Sequence, residues 1–329
     1  MTKQTNTNGP GGPRVSIGLP VYNGENYLTT TLDSILAQTF TDFELIISDN
    51  ASTDRTEAIC REYAASDHRI RFVRSPTNLG AARNYNRVFE LARGEYFRWN
   101  GHDDPIAPVF LERCVEILDR DPGVILCFAR NRAIDEHGKD HEVPALTART
   151  FAPKPQLASP EARVRFYHAV VADHPQGAIF GLIRRSVLAQ TALIGSYRSS
   201  DLTLLGELAL RGRFHQVPEP LQFRRFHAQQ GRNVYKSAQL REVWFDPNRS
   251  QTRNHPYLRL FREHVNAVRR AAPDAGTRSI CYAYMALWVA KYVCFRAPLK
   301  ALLGGPYRLM KSTGAPRRVA ELLARTGLW

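Results

Sequence analysis

VSIGLPVYNGENYLTTTLDSILAQTFTDFELIISDNASTDRT, residues 15–56, holds two apolar runs on either side of a helical pattern. Val15–Tyr22 is a short apolar run that closes in turn residues, which reads as a buried strand. Leu28, Leu32, Ile35 and Leu36 recur at helical spacing. FELIISD is a second buried strand, and NASTDRT offers Ser52 or Thr53 as the N-cap of a further helix. Two buried strands joined by a helix imply a right-handed βαβ unit and a parallel sheet.

The pattern continues outward. RIRFVRS reads as a third strand, and NLGAARNYNRVFELARG as a turn and a helix stopped at Gly94. EYFRWN is a fourth strand that runs straight into His102-Asp103-Asp104, with Trp99 expected in the core. A helix after Pro108, the strand VILCFARNRAID and a Pro/Ala/Thr-rich loop over 140–160 follow. EARVRFYHAVVADH is helical, AIFGLIRRSVL a strand feeding a helix, and SSDLTLLGELALRGRF an amphipathic helix entered through Ser200 or Asp201. HQVPEPLQFRRFHAQQG is a strand and a polar loop. From about residue 238 the pattern is helical and basic. The expected fold class is therefore α/β, with a Rossmann-like, mostly parallel central sheet flanked by helices and a basic helical C-terminal extension.

The chain has 329 residues, 43% of them hydrophobic, enough to bury a sizeable core. Five scattered cysteines with no CxxC pair argue against a disulfide framework or a zinc site and fit a reducing cytoplasm. The N-terminal MTKQTNTNGPGGPR shows no apolar signal region and reads as a disordered tail. The longest apolar run, Ile280–Ala290, is interrupted by Lys291, short of the roughly 20 residues that span a membrane. The net charge is +14. From residue 241 onward there are 16 Lys/Arg against 5 Asp/Glu, so the first 240 residues are close to balanced. The basic excess is thus expected in a helical tail outside the site, where it suits an anionic membrane surface or an acidic acceptor. A nucleic-acid binder would interleave basic and aromatic residues across a sheet face, so no nucleic acid is expected.

In an open parallel sheet, ligands bind at the carboxyl ends of the strands. Here those ends carry Pro20–Asn23, Asp49–Asn50, Ser75–Asn78 and His102–Asp104. No GxGxxG follows the first strand and no GxxxxGK[ST] occurs, which sets aside dinucleotide-dehydrogenase and P-loop chemistry. A nucleotidyltransferase on a similar sheet would show a Gly-rich phosphate loop near the first strand, and GLPVYNGEN lacks one. Asp103 and Asp104 repel each other unless a divalent cation neutralises them, and oxygen ligands suit Mg²⁺ or Mn²⁺. Such a cation can hold a diphosphate and stabilise charge on a departing phosphate. On its own, Asp-Asp before Pro is usually a helix cap or a solvated turn.

Residues 15–56, NLGAARNYNRVFELARGEYFRWNGHDD, SSDLTLLGELALRGRF and PLQFRRFH together resemble the family-2 glycosyltransferases of GT-A fold, in matching order over roughly residues 15–235. The resemblance implies inverting transfer of a sugar from a nucleotide diphosphate donor, commonly of uridine or deoxythymidine, to an acceptor hydroxyl on a glycan or lipid-linked saccharide. It implies a Mn²⁺ or Mg²⁺ cofactor and a role in envelope, capsular or exopolysaccharide synthesis. By the same resemblance Asp49 contacts the nucleotide base, Pro20, Tyr22 and Glu25 line the nucleotide pocket, and Arg83 lies near the nucleotide or diphosphate. Asp103 serves donor and metal, and Asp104 and His227 complete the metal site, with Arg225 close by. Gly101 stands where the family's first metal-motif aspartate usually sits. Asp201 is the implied catalytic base, and His102 a pocket-lining residue. His174 and Gln176 are candidates to face the acceptor. The implied division is a tail over 1–14, a nucleotide-sugar-binding half over 15–110, an acceptor-binding and catalytic half over 111–237, and a basic helical region over 238–329.

Overall fold

The computed structural model describes residues 12–143, 152–235, 237–247 and 256–290. Among them, seven strands form one sheet: β1 Val15–Val21, β2 Phe43–Asp49, β3 Ile70–Arg74, β4 Tyr96–Trp99, β5 Val124–Ile134, β6 Leu182–Arg184 and β7 Arg213–Arg225. Their order is β3-β2-β1-β4-β6-β5-β7. All pairs are parallel except the two made by β6, so six strands share one direction. This is the α/β architecture expected from the alternating pattern.

Helices α1 Leu28–Leu36, α2 Thr56–Ser66, α3 Ala81–Glu90 and α4 Phe110–Arg120 cover the faces of the first half. The two-residue period of the strands sorts the core into two layers. Val15, Ile17 and Leu19 of β1 join the layer that contains α1 and α4. Phe97 and Trp99, two apart on β4, join the opposite layer and meet edge-to-face at 4.9 Å. Trp99 is fully buried, as its place in the apolar run predicts, and its Nε1–H donates to the Tyr85 carbonyl at 2.8 Å. Side chains of this kind stabilise the fold by about 1.5–3 kcal/mol each. Arg14 is anchored to Asp119 at 2.7 Å and to Glu95 at 3.1 Å.

The second half departs from the sequence reading in three places. AIFG is not a strand: residues 176–180 form a 3₁₀ turn and only Leu182–Arg184 extends, because β6 must run backwards between β4 and β5 and pairs with two residues of each. EARVRFYHAVVADH begins as helix α5, Ala162–Tyr167, and continues as a π-helical turn over His168–Ala172. Helix α6, Ser200–Arg211, is not amphipathic; Leu202 through Leu210 are all buried. The reason is that α6 is enclosed between α5 with its π turn and the C-terminal helix α8, Pro256–Ala271, while α9, Ala275–Val289, packs on α5 and α8. Glu207 of α6 is 1% exposed and bridges Arg270 of α8 at 2.7 Å and Arg211 at 3.1 Å.

The C-terminal helices therefore belong to the core. Val268, Cys281, Met285 and Trp288 pack in the same apolar layer as Trp99. The apolar run at 280–290 is a helix buried on one face, and no helix among the described residues is long and apolar enough to cross a membrane. Cys60, Cys114, Cys127 and Cys281 are free and buried; Cys294 and residues 1–11 lie outside the described residues.

Candidate active site

The carboxyl ends of β1, β2 and β4 open into a cavity of about 420 Å³. Two strand-end loops lock each other in place there. Ser52 Oγ accepts the Asn23 N–H at 2.9 Å and Asn23 Oδ1 accepts the Thr53 N–H at 2.9 Å. Asn23 and Ala51 hold positive φ angles of 50° and 63°, local strain of the kind stored at functional rims. Pro20, Tyr22 and Asn50 line the cavity from this side.

The Asp-Asp loop is positioned by β7. Pro218 and Pro220 are tolerated because β7 is the sheet's edge strand and is bulged there. Beyond the bulge, Ala107 N–H donates to the Leu221 carbonyl and Phe223 N–H to the Pro105 carbonyl, at 3.0 and 3.1 Å. This clamp brings residues 225–227 onto the Asp-Asp loop. Asp104 Oδ1 accepts the Arg225 N–H at 2.8 Å, and His227 Nε2 sits 3.0 Å from Asp103 Oδ2. Tyr27 packs against the His227 ring at 4.4 Å.

Each carboxylate thus has one engaged oxygen. The spare ones, Asp103 Oδ1 and Asp104 Oδ2, converge beside Gly101: a Cβ there would stand 3.0 and 3.4 Å from them. The missing side chain of Gly101 is what leaves room for two carboxylates to face one point. Burial raises the Asp104 carboxyl, and the Asp103 charge raises it further. Burial also opposes ionisation of Asp103, but His102 and the His227 hydrogen bond outweigh it and hold that carboxyl low. The pair accordingly suits a hard cation, which takes one or two carboxylates and completes its shell with substrate oxygens and water. Among the described residues no group of three or more His, Cys, Asp or Glu converges as a metal cluster. His227 turns Nε2 to Asp103, while its Nδ1 is buried with no hydrogen-bond partner among the described residues.

Asp201 lines the same cavity from the first turn of α6. Burial pushes its carboxyl up, against the first-turn N–H groups and the charge of Arg224. The convergence is visible at Tyr85, another cavity residue. Its hydroxyl is raised by burial and then by the charges of Asp103, Asp104 and Asp201 together.

Of the residues singled out from sequence, Pro20, Tyr22, His102, Asp103, Asp104 and Asp201 line the cavity. Asp49 does not. It is fully buried, with Oδ1 accepting the Ser52 N–H and Oδ2 paired with Arg74 at 3.0 Å. Its neighbour Asn50 reaches the cavity instead and is held by Asn78 and the Leu79 N–H, both at 2.8 Å. Glu25 is used in the rim, accepting the Arg55 N–H at 2.9 Å. The Arg83 side chain is exposed outside the cavity wall. His174 is likewise outside it. Arg225 is buried and spent on the carbonyls of Asp103, Asp135 and Glu136. Adjacent Arg224 lines the cavity together with Gln222 and Phe223. Strand periodicity does not single out Arg224, since three successive residues line the cavity.

The basic extension is also not outside the site. Helix α7, Ala238–Phe245, places Arg241, Trp244 and Phe245 in the cavity wall. Its last residue rests on Gly80, where φ is +82° and a Cβ would lie 2.5 Å from the Phe245 carbonyl oxygen. Nothing local in the sequence announces this return.

The mixed α/β fold, with its central and mostly parallel sheet flanked by helices, is of the GT-A type shared with its structural neighbours. The sequence model of glycosyl transferase family 2 matches residues 16–180, and the chain belongs to that family. An uncharacterised glycosyltransferase of Rickettsia typhi is 36% identical over 132 residues, 40% of this chain and 40% of that protein. The chondroitin synthase of Escherichia coli is 36% identical over 126 residues, 38% of this chain and 18% of the synthase. The chain therefore spans two fifths or less of these relatives. S. aureus TarS 1-349 in complex with UDP superposes with a TM-score of 0.60 at 16% identity, over 89% of this chain and 78% of that one. The same fragment with UDP-GlcNAc gives 0.61 at 17%, over 83% and 71%. At that identity the likeness is one of fold.

Proposed function

We propose that the chain transfers a sugar from a nucleoside diphosphate donor, a UDP- or dTDP-sugar, to an acceptor hydroxyl with inversion. The observation that carries this reading is that Asp201 shares one cavity with the spare oxygens of Asp103 and Asp104. In this reading residues 15–110 hold the nucleotide, with Pro20, Tyr22 and Asn50 around it. Asp103 and Asp104 would hold a Mn²⁺ or Mg²⁺ ion, which when bound supplies Lewis-acid stabilisation of the diphosphate leaving group. The half over 111–237 brings the base.

Asp201 takes the proton of the acceptor hydroxyl, a task its raised pKa suits. The hydroxyl oxygen attacks the anomeric carbon as the bond to the diphosphate oxygen breaks on the opposite face, so one displacement inverts the centre. Arg224, whose charge reaches both Asp104 and Asp201, offsets negative charge as the diphosphate departs. His227 keeps Asp103 oriented. The match to chondroitin synthase supports a place in polysaccharide synthesis. The basic C-terminal region, with Leu258 and Leu287 exposed, supports contact with an anionic membrane surface.

The test is donor turnover. Nucleoside diphosphate released from UDP- and dTDP-sugars is measured with Mn²⁺, with Mg²⁺ and with chelator. Cation-stimulated release is expected, and an anomeric product inverted by NMR. No binding or turnover of any nucleotide sugar would overturn the reading.

A further inference from the structure

The cavity wall contributed by the strand ends is polar and acidic. One stretch of wall, contributed by the loop before α6 and by α7, is cationic and aromatic: Arg198, Arg241, and Trp244 with Phe245. Arg198 and Arg241 are close enough for the Arg198 charge, after burial, to lower the Arg241 guanidinium. Among the described residues neither makes an ion pair. Arg241 is fixed instead by a bond from Nε to the Tyr235 carbonyl at 2.7 Å, and α7 itself is capped by Ser237 Oγ, which accepts the Leu240 N–H. Tyr235 stacks on Trp244 at 5.8 Å, and Trp244 meets Phe245 edge-on at 4.7 Å. Two guanidinium groups on one wall repel, and the fork geometry of arginine matches carboxylate and phosphate oxygens.

The position of Arg198 points to the acceptor, and Arg241 reaches it from α7, whose last residue rests on Gly80 in the nucleotide half. Arg198 stands three residues before Asp201, separated by Ser199 in a left-handed conformation with φ 63°. Three residues span at most about 10 Å, so a group bound at Arg198 lies within reach of the base. The diphosphate, in contrast, belongs beside Gly101, where the spare carboxylate oxygens converge.

We propose that Arg198, Arg241 and Trp244 form an acceptor subsite for an anionic sugar, one that carries a carboxylate or a phosphate ester, with the ring resting on the Trp244 face. This rests on the glycosyl-transfer reading and specifies its acceptor. A neutral sugar would leave both guanidinium groups unpaired, so the subsite discriminates by charge.

The test titrates glucuronic acid, glucose 1-phosphate and glucose into the full chain saturated with UDP, followed by saturation-transfer NMR. At least one charged sugar is expected to bind fivefold or more tightly than glucose, and which one does so identifies the anion as carboxylate or phosphate. Arg198→Gln with Arg241→Gln is expected to bring the three sugars within twofold of each other and to leave UDP affinity within twofold of the parent. Arg198→Gln alone alters an exposed side chain, and Arg241→Lys keeps the charge; both report on the subsite if the double variant does not fold. Equal binding of glucose and both charged sugars to the parent chain overturns the proposal. So does a loss of UDP affinity matching the loss of charged-sugar affinity, which would assign the arginines to the donor. Failure of the parent chain to bind any nucleotide is a different result and counts against glycosyl transfer itself.

Discussion

His227 Nε2 lies 3.0 Å from Asp103 Oδ2 across 124 positions of sequence. The contact exists because residues 105–107 pair with 221–223 at the end of the bulged edge strand. It engages one oxygen of Asp103 and leaves the other beside its counterpart on Asp104. Asp103→Ala is therefore expected to abolish any tightening of UDP binding by Mn²⁺. His227→Ala, which removes only the orienting partner, should weaken that tightening by roughly 10–100-fold. Isothermal calorimetry of UDP with and without Mn²⁺ measures both. Metal dependence that survives Asp103→Ala would remove the carboxylate pair from the mechanism.

Gly101 stands where the resemblance places an aspartate, and a Cβ there approaches Asp103 Oδ1 to 3.0 Å. A third carboxylate would meet two others in a buried space, with like charges a few ångströms apart. Gly101→Asp is expected to lower the melting temperature and to leave Mn²⁺ affinity unimproved. A variant with unchanged melting and tighter metal binding would show that the loop has room for the usual motif.

Asp201 is the group whose protonation should control the chemical step. Asp201→Asn is expected to lower kcat by about 10²–10⁴-fold, the range that general-base removal costs, while UDP binds as before. Its carboxyl is raised by burial, and the base must be ionised. The acid limb of the kcat/KM profile should therefore lie above about pH 4, the ordinary carboxylate value, with activity lost as pH falls through it. A carboxyl raised on folding costs stability progressively as pH climbs past its unfolded value, and in full above its folded value. Asp201→Asn should thus raise the melting temperature at pH 8, and the gain should fade as pH drops toward about 4. A limb at the ordinary value, with no melting gain, would mean that Asp201 is solvated and not the base.

Glu207 ties α6, and with it Asp201, to the C-terminal helices through Arg270. Glu207 is buried but the Arg270 side chain is 38% exposed and is solvated once unpaired, so removing the carboxylate costs about 1–3 kcal/mol. Glu207→Ala is expected to lose stability of that order in urea unfolding. Truncation after residue 247 should abolish UDP binding and acceptor binding together, because it strips Val268, Met285 and Trp288 from the core. If the truncated chain still bound UDP with parental affinity, the C-terminal helices would be an appendage.

The sequence by itself determined the elements of the first half and their order. Alternating apolar runs, helical spacing and turn residues act over a few positions, so the strands from Val15–Val21 through Tyr96–Trp99, the burial of Trp99 and the placing of Asp103 and Asp104 at a strand end were all legible. What only the tertiary structure decided is which polar group faces the cavity. A carboxylate at a strand end reads the same whether it meets a ligand or a neighbouring arginine; Asp49 meets Arg74, and Asn50 takes the cavity position. Arg224 and Arg225 are adjacent letters, but the pleat of an edge strand sends one into the cavity and the other into carbonyls of the loop. The basic extension looked separable because charge composition carries no address. Its return onto Gly80 and α6 depends on packing between segments far apart in the chain, which no local pattern encodes.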